Sequence, residues 1–153
     1  MVQMMIPGTL REWAIHVALS NLGHPYRWGG DDPVAGFDCS GLVIHCLQSV
    51  GVLPQKFDTT AAGIFEMWRA AGKELRVPPF PPGALVFYSS YPDAVRIHHV
   101  EMILNCDLSV GAASGGSATL TEADAVLQNA FVKIRPMLGP HRPRHIFYAD
   151  PFG

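Results

Sequence analysis

Five residues near the middle of the chain, Pro78-Pro79-Phe80-Pro81-Pro82, set the strongest limit on what it can fold into. Proline fixes φ and has no N–H to donate, so this stretch enters neither a helix nor the interior of a sheet. The hydrophobic period also changes across it. Upstream, apolar residues recur at helical spacing; downstream they come in short runs of β character. Helices first and strands afterwards predict an α+β fold, N-terminal helices packed on a C-terminal antiparallel sheet. Neither half is large enough to hold a core alone. The proline run is therefore expected to be an internal loop, with residues 1–153 forming a single domain.

The helical half has clear punctuation. Thr9-Leu10-Arg11-Glu12 is a capping box, and Leu10, Trp13, Ala14, Val17 and Ala18 follow on one face, with Gly23 as the stop. A turn-rich stretch from Gly23 to Asp38 leads to a second predicted helix, about Cys39 to Val50, ending at Gly51. Its stripe is Cys39, Val43, Cys46, Leu47 and Val50. A third helix is predicted from Thr60 to Ala71, before Gly72. Strands are predicted at Leu85–Tyr88, His99–Leu104, Ser109–Ala113, Phe131–Ile134 and His145–Tyr148, with a short helix over Thr121 to Gln128.

Composition excludes several classes. Hydrophobic residues make up 48% and charged residues 16%, which is not the balance of a disordered chain. No apolar run approaches the roughly 20 residues of a membrane span. Net charge is −2, and basic residues are scattered, so the charge pattern carries no footprint for nucleic acid. The one local cluster, Arg135, Arg142 and Arg144, is expected at a solvated edge, folded over a cleft, or bound to an anionic polymer. The opening MVQMMIPGTLREW lacks a basic segment followed by an apolar one, so no conventional signal peptide is expected and synthesis is placed in the cytoplasm. Three cysteines make an odd count without CxxC spacing, which argues against a disulfide framework or a zinc knuckle.

Chemistry concentrates in two places. Phe37-Asp38-Cys39-Ser40-Gly41-Leu42-Val43 puts a cysteine in the first turn of the second helix, where free N–H groups and the helix dipole favour a thiolate. Cys46 and Cys106 read as core residues. The base that a thiol nucleophile needs is most often an imidazole. His98 and His99 open the most strand-like segment, so one of them faces each side of the sheet. Val100, Met102 and Leu104 are expected to meet the core. His99 shares the other face with Glu101 and Ile103 and is expected to point toward the helix-side cleft. His16 and His45 read as structural.

Four ordered motifs resemble the NlpC peptidase family: Tyr26-Arg27-Trp28-Gly29-Gly30, the Phe37-to-Val43 segment, Pro82-Gly83-Ala84-Leu85-Val86-Phe87-Tyr88, and His99-Val100-Glu101-Met102-Ile103-Leu104. These are papain-like cysteine peptidases that cut peptidoglycan stem peptides. The resemblance implies Cys39 as nucleophile, His99 as general base, and an oxyanion site made of backbone N–H groups at the start of the second helix. It implies that Tyr26, Asp38 and Ser40 line the substrate cleft, that the bond cut lies next to D-glutamate, and that no metal or organic cofactor takes part. A phage-type lysin or tail-associated wall hydrolase is the expected setting. A non-catalytic tail protein, an injected amidase toxin or an acyltransferase on the same scaffold are the alternatives.

Two positions depart from the family pattern. Ala84 stands where an aspartate is usual. The strand after the histidine strand, Leu108-Ser109-Val110-Gly111-Ala112-Ala113-Ser114, has a glycine near the place of the family's third polar residue. The group that orients His99 is therefore open among Glu101, Asp107, Ser109, Ser114 and a main-chain carbonyl, or the site works as a dyad.

Overall fold

A computed structural model describes residues 7–153. Met1 to Ile6, part of the segment weighed above as a leader, lie outside the described residues. Helix α1 (Leu10–Ser20) starts on the predicted capping box, with Thr9 and Glu12 each satisfying the other's backbone N–H. Its buried face differs from the expected one. Ala14 and Ala18 are buried, whereas Leu10 and Trp13 are largely exposed. The small side chains let α1 lie close against its neighbours, and the large ones fall on the outside.

The hairpin β1 (Asp31–Asp32) and β2 (Gly36–Phe37) then leads directly into α2 (Cys39–Ser49). Helix α2 is apolar nearly all round, as a helix in the middle of a core must be. Its first six residues, together with Cys46 and Leu47, are buried, and it packs on α1, β5 (Ile97–Ile103) and β6 (Leu108–Ala113). Helix α3 (Ala61–Ala70) is capped by the Thr60 hydroxyl and buries Ile64, Phe65 and Trp68. Both helices stop before glycines at positive φ, Gly51 and Gly72.

Six antiparallel strands complete the fold, adding β3 (Glu74–Leu75), β4 (Leu85–Ser89), β7 (Phe131–Pro136) and β8 (His145–Ala149). Their order is β3-β8-β4-β5-β6-β7. The expected strands are all present, each within a few residues of its predicted bounds, and α4 (Glu122–Gln128) fills the predicted short helix. The proline run is an internal loop between β3 and β4. The two-residue strands have no period to read in a sequence.

The sheet carries a different core on each face. Leu85, Phe87, Val100, Met102 and Val110 join the helices in the main core. Ala84, Val86, Tyr88, Ile103 and Met137 form a smaller cluster on the opposite face. Register pairs His99 with Tyr88 and Glu101 with Val86, so both polar side chains stand on this second face. Cys106 corrects an expectation: it is exposed, in the turn between β5 and β6, and not a core residue. Cys46 is fully buried, and burial pushes its thiol up to about 12.

Candidate active site

The start of α2 is held by its own sequence. Asp38 is the N-cap. Its Oδ1 accepts from the Gly41 N–H at 2.7 Å and from the Ser40 hydroxyl at 3.2 Å, while Oδ2 accepts from the Gly29 N–H at 3.1 Å. One carboxylate thus ties the helix to the preceding glycine turn. Burial pushes the Asp38 carboxyl up, against the opposing effect of these bonds. Gly41 has no alternative, because a Cβ there would lie 2.0 Å from the Gly30 carbonyl oxygen. Cys39 becomes the first residue of α2, 9% exposed, and its N–H is among those with no acceptor inside the helix.

Across from this helix tip, the register of β4 and β5 shifts between Tyr88 and Ser89, next to His98. The His98 carbonyl oxygen comes within 3.9 Å of Cys39 Sγ, while the His98 side chain is exposed. His99 is on the face away from the main core, with Glu101, as the alternation predicts. From that far face its ring still reaches the cleft that Cys39 lines, because the thiol sits at the extreme end of α2. The other side of the ring meets Glu101, with Nε2 to Oε1 at 2.8 Å. Nε2–H donating to the carboxylate leaves Nδ1 for the sulfur.

Glu101 is completely buried. Arg142 donates to both of its oxygens, Nη1 to Oε1 at 3.1 Å and Nη2 to Oε2 at 2.8 Å. Arg135 and the Ser109 hydroxyl also donate to it. Burial alone would push this carboxyl up; the bond to His99, the imidazolium charge and the two guanidinium groups hold it far below the usual range. Burial likewise pushes His99 down, but its bonds to Cys39 and Glu101 and their charges outweigh that and raise it to about 9. The Arg142 guanidinium also lies over the Tyr88 ring, 4.7 Å from its centroid. The Tyr88 hydroxyl donates to the Met137 carbonyl at 2.9 Å. Through Arg142 the 137–144 connection is fastened to the back of the site.

A cleft of about 390 Å³ opens over the sulfur. Tyr26 and Trp28 form one wall, Ser114 to Gly116 another, and His141 to Pro143 a third; Arg135 and His98 also line it. Of the three expected binding residues, Tyr26 lines the cleft, whereas Asp38 and Ser40 are engaged in the helix cap. Arg135 and Arg142 do not lie at a solvated edge, one of the places expected for them. They instead reach inward to Glu101, and only Arg144 of that cluster is exposed. Their (i,i+7) separation across a strand end gave no local signal of a shared target. Among the described residues, no group of three or more His, Cys, Asp or Glu side chains is placed to hold a metal ion.

A signature described as the NlpC/P60 family matches residues 23–136, which include every one of these groups except Arg142 and its neighbours. The chain belongs to the NlpC/P60 family. Among relatives of this NlpC/P60 chain is the probable endopeptidase YafL of Escherichia coli K12, 36% identical over 92 residues that cover 58% of this chain and 34% of YafL. Another is the bifunctional muramidase/DL-endopeptidase CwlT of Bacillus subtilis 168, 33% identical over 89 residues, 58% of this chain and 25% of CwlT. The chain thus spans about a third or less of the length of these curated relatives. The P60 domain of antigen MAP1204 from M. avium subspecies paratuberculosis superposes with a TM-score of 0.66 at 25% identity, covering 94% of this chain and 96% of that domain. The peptidoglycan hydrolase RipB from Mycobacterium tuberculosis gives 0.64 at 25% identity, over 94% of this chain and 65% of RipB. The α+β papain-like architecture expected from the sequence is the one these NlpC/P60 structures share.

Proposed function

We propose that this protein is a cysteine endopeptidase that hydrolyses an amide bond in peptidoglycan stem peptides, adjacent to D-glutamate, with Cys39 as nucleophile and His99 as base. The observation that carries the reading is a thiol at a helix tip that lines one cleft with an imidazole whose Nε2 is hydrogen-bonded to a buried carboxylate. His99 Nδ1 takes the thiol proton. The thiolate attacks the amide carbonyl carbon, and the oxyanion is met by the Cys39 N–H in the first turn of α2. Collapse breaks the C–N bond as His99 returns the proton to the leaving amine, giving a thioester. Water then gives a proton to His99 and its oxygen to the acyl carbon, releasing the acid and the thiol. Tyr26 contacts substrate from the cleft wall, while Asp38 and Ser40 keep the oxyanion-binding turn in place.

The setting is the one expected from the sequence, a phage-type lysin or tail-associated wall hydrolase. Purified protein incubated with bacterial sacculi, with soluble products read by mass spectrometry, tests the reaction whatever the delivery route. Fragments ending at D-glutamate are expected. Fragments cut only at other linkages would overturn the bond assignment, and intact sacculi would overturn the activity.

The acid form of His99 is needed to protonate the leaving amine, so its loss sets the alkaline limit. With this group raised to about 9, kcat/KM is expected to fall above about pH 9. The sign for stability follows the same shift. The folded value is above the ordinary 6.5 of histidine, so the contribution is complete below about 6.5 and disappears as pH rises through about 9. A pH–rate profile with its alkaline limb near 6.5 would contradict this coupling of His99 to its two partners.

A further inference from the structure

We propose that Glu101 is the positioning residue for His99, a carboxylate supplied by the histidine strand itself into space that Gly111 of the neighbouring strand leaves open. This rests on the assignment of His99 as the base. The pairing of Met102 with Val110 and Ile103 with Ser109, continued by one step, sets Gly111 beside Glu101. A Cβ on Gly111 would lie 2.5 Å from Glu101 Cγ and 3.2 Å from Cδ. The two positions therefore exclude each other: β5 can send a carboxylate into this space only while β6 sends nothing.

The reach is right for an orienting group. Side chains at i and i+2 of a strand stand on one face, and the 2.8 Å contact is a strong charge-assisted hydrogen bond. A buried carboxylate needs several donors, and they come from three separate places: Ser109 on β6, Arg135 on β7, and Arg142 in the connection to β8. The neighbourhood also explains why the charge matters. Arg135 Nη2 lies 3.3 Å from His99 Nε2. While Nε2 carries a proton directed at Glu101, that guanidinium has no lone pair to meet. Without the carboxylate, Arg135 can donate to a bare Nε2. The proton then moves to Nδ1, the nitrogen facing the sulfur, and the imidazole can no longer accept the thiol proton. Glu101 thus fixes the tautomer and keeps a cation from capturing the base.

The groups that face His99 from the surrounding elements are Cys39 on α2, Tyr88 on β4, His98 and Glu101 on β5, Arg135 on β7 and Arg142 beyond it. Only Glu101 is altered in the decisive variant. Glu101→Gln keeps the volume and an acceptor oxygen but removes the charge. Its kcat is expected to fall about 10²- to 10⁴-fold with KM little changed. Its alkaline limb is expected to move acidward by about one pH unit or more, because two guanidinium groups then face the imidazole unopposed. A merely structural loss would lower the amplitude and leave the limb in place.

The exclusion between the two positions supplies the stricter test. Gly111→Glu alone should clash and inactivate. Combined with Glu101→Ala, it returns a carboxylate to the same space from the other strand, and at least tenfold recovery over Glu101→Ala alone is expected, since the orienting hydrogen bond to the base is restored. Nitrogen-15 spectra of the His99 ring in the Cys39→Ala protein, recorded above the pH at which the ring loses its charge, read the tautomer of the neutral imidazole without any substrate. Protonated Nε2 is expected, with displacement toward Nδ1 when Glu101→Gln is added. That readout survives even if the sacculus assay is negative, so failure of this proposal and failure of the peptidase reading are separable. A Glu101→Gln protein with the parent's tautomer and alkaline limb would overturn the proposal, as would a double variant no more active than Glu101→Ala.

Discussion

Cys39→Ala should release no soluble fragments from sacculi, a loss of at least about 10⁴-fold, while circular dichroism and the thermal midpoint stay near those of the parent. The expectation divides cleanly between chemistry and stability. In the proposed reaction the sulfur is the group that forms the thioester, and the backbone N–H groups of the helix tip cannot replace it. The structural cost is small because the side chain lies at the margin of the core, 9% exposed, and alanine is a good helix former. Cys46, fully buried on the same helix, provides the matched control. Cys46→Ala should lower stability and leave turnover per folded molecule unchanged. Equal release by parent and Cys39→Ala would dismiss this cysteine as the nucleophile.

The second large effect is expected from a residue that performs no chemistry. Gly41→Ala inserts a methyl group 2.0 Å from the Gly30 carbonyl oxygen, and the obstruction is backbone, which cannot rotate aside. The first turn of α2 and the glycine turn must separate. That disturbs the Asp38 bridge, which joins both through the N–H groups of Gly41 and Gly29. Strain of this kind costs about 1–3 kcal/mol, read as a lower denaturation midpoint. Catalysis should suffer more than stability, because a displacement of about 1 Å at a nucleophile costs on the order of 10²-fold. Gly116→Ala, where a Cβ meets nothing within 4 Å, should be silent on both counts although it lies on the rim of the same cleft. If Gly41→Ala keeps full turnover, the tight fit between turn and helix is not what places the sulfur.

What could be read in advance was local. Helix ends were legible because a cap is a matter of four residues: Thr9 with Glu12, Thr60 before α3, Gly51 and Gly72 after their helices. The β5 segment was legible through its alternation, which correctly grouped His99 with Glu101 and sent Val100 and Met102 to the helices. Alternation places His99 on the face away from the main core, but it does not show that the cleft opens at the strand ends, where the tip of α2 brings Cys39 into the same lining. Glu101 was one of several open choices for the same reason that it is effective. Everything that distinguishes it from Asp107 or Ser114 is distant in the chain: the absent side chain at Gly111, and the guanidinium groups of Arg135 and Arg142 arriving 34 and 41 residues later. The exposed Leu10 and Trp13 of α1 show the complementary limit. Helical period finds an apolar stripe but does not say that the close contact will be made by Ala14 and Ala18 instead.

The order of strands has a consequence for biosynthesis. Strand β8, the last of the sheet's strands in chain order, is not at the rim of the sheet but wedged between β3 and β4. Until residues 145–149 have left the ribosome, β4 keeps one row of backbone donors and acceptors unsatisfied, immediately beside the strand that carries the imidazole. A nascent chain therefore exposes an adhesive edge until β8 emerges. Release of a premature product that stops before residue 145 should send it to aggregates or proteases, not to a weakened enzyme.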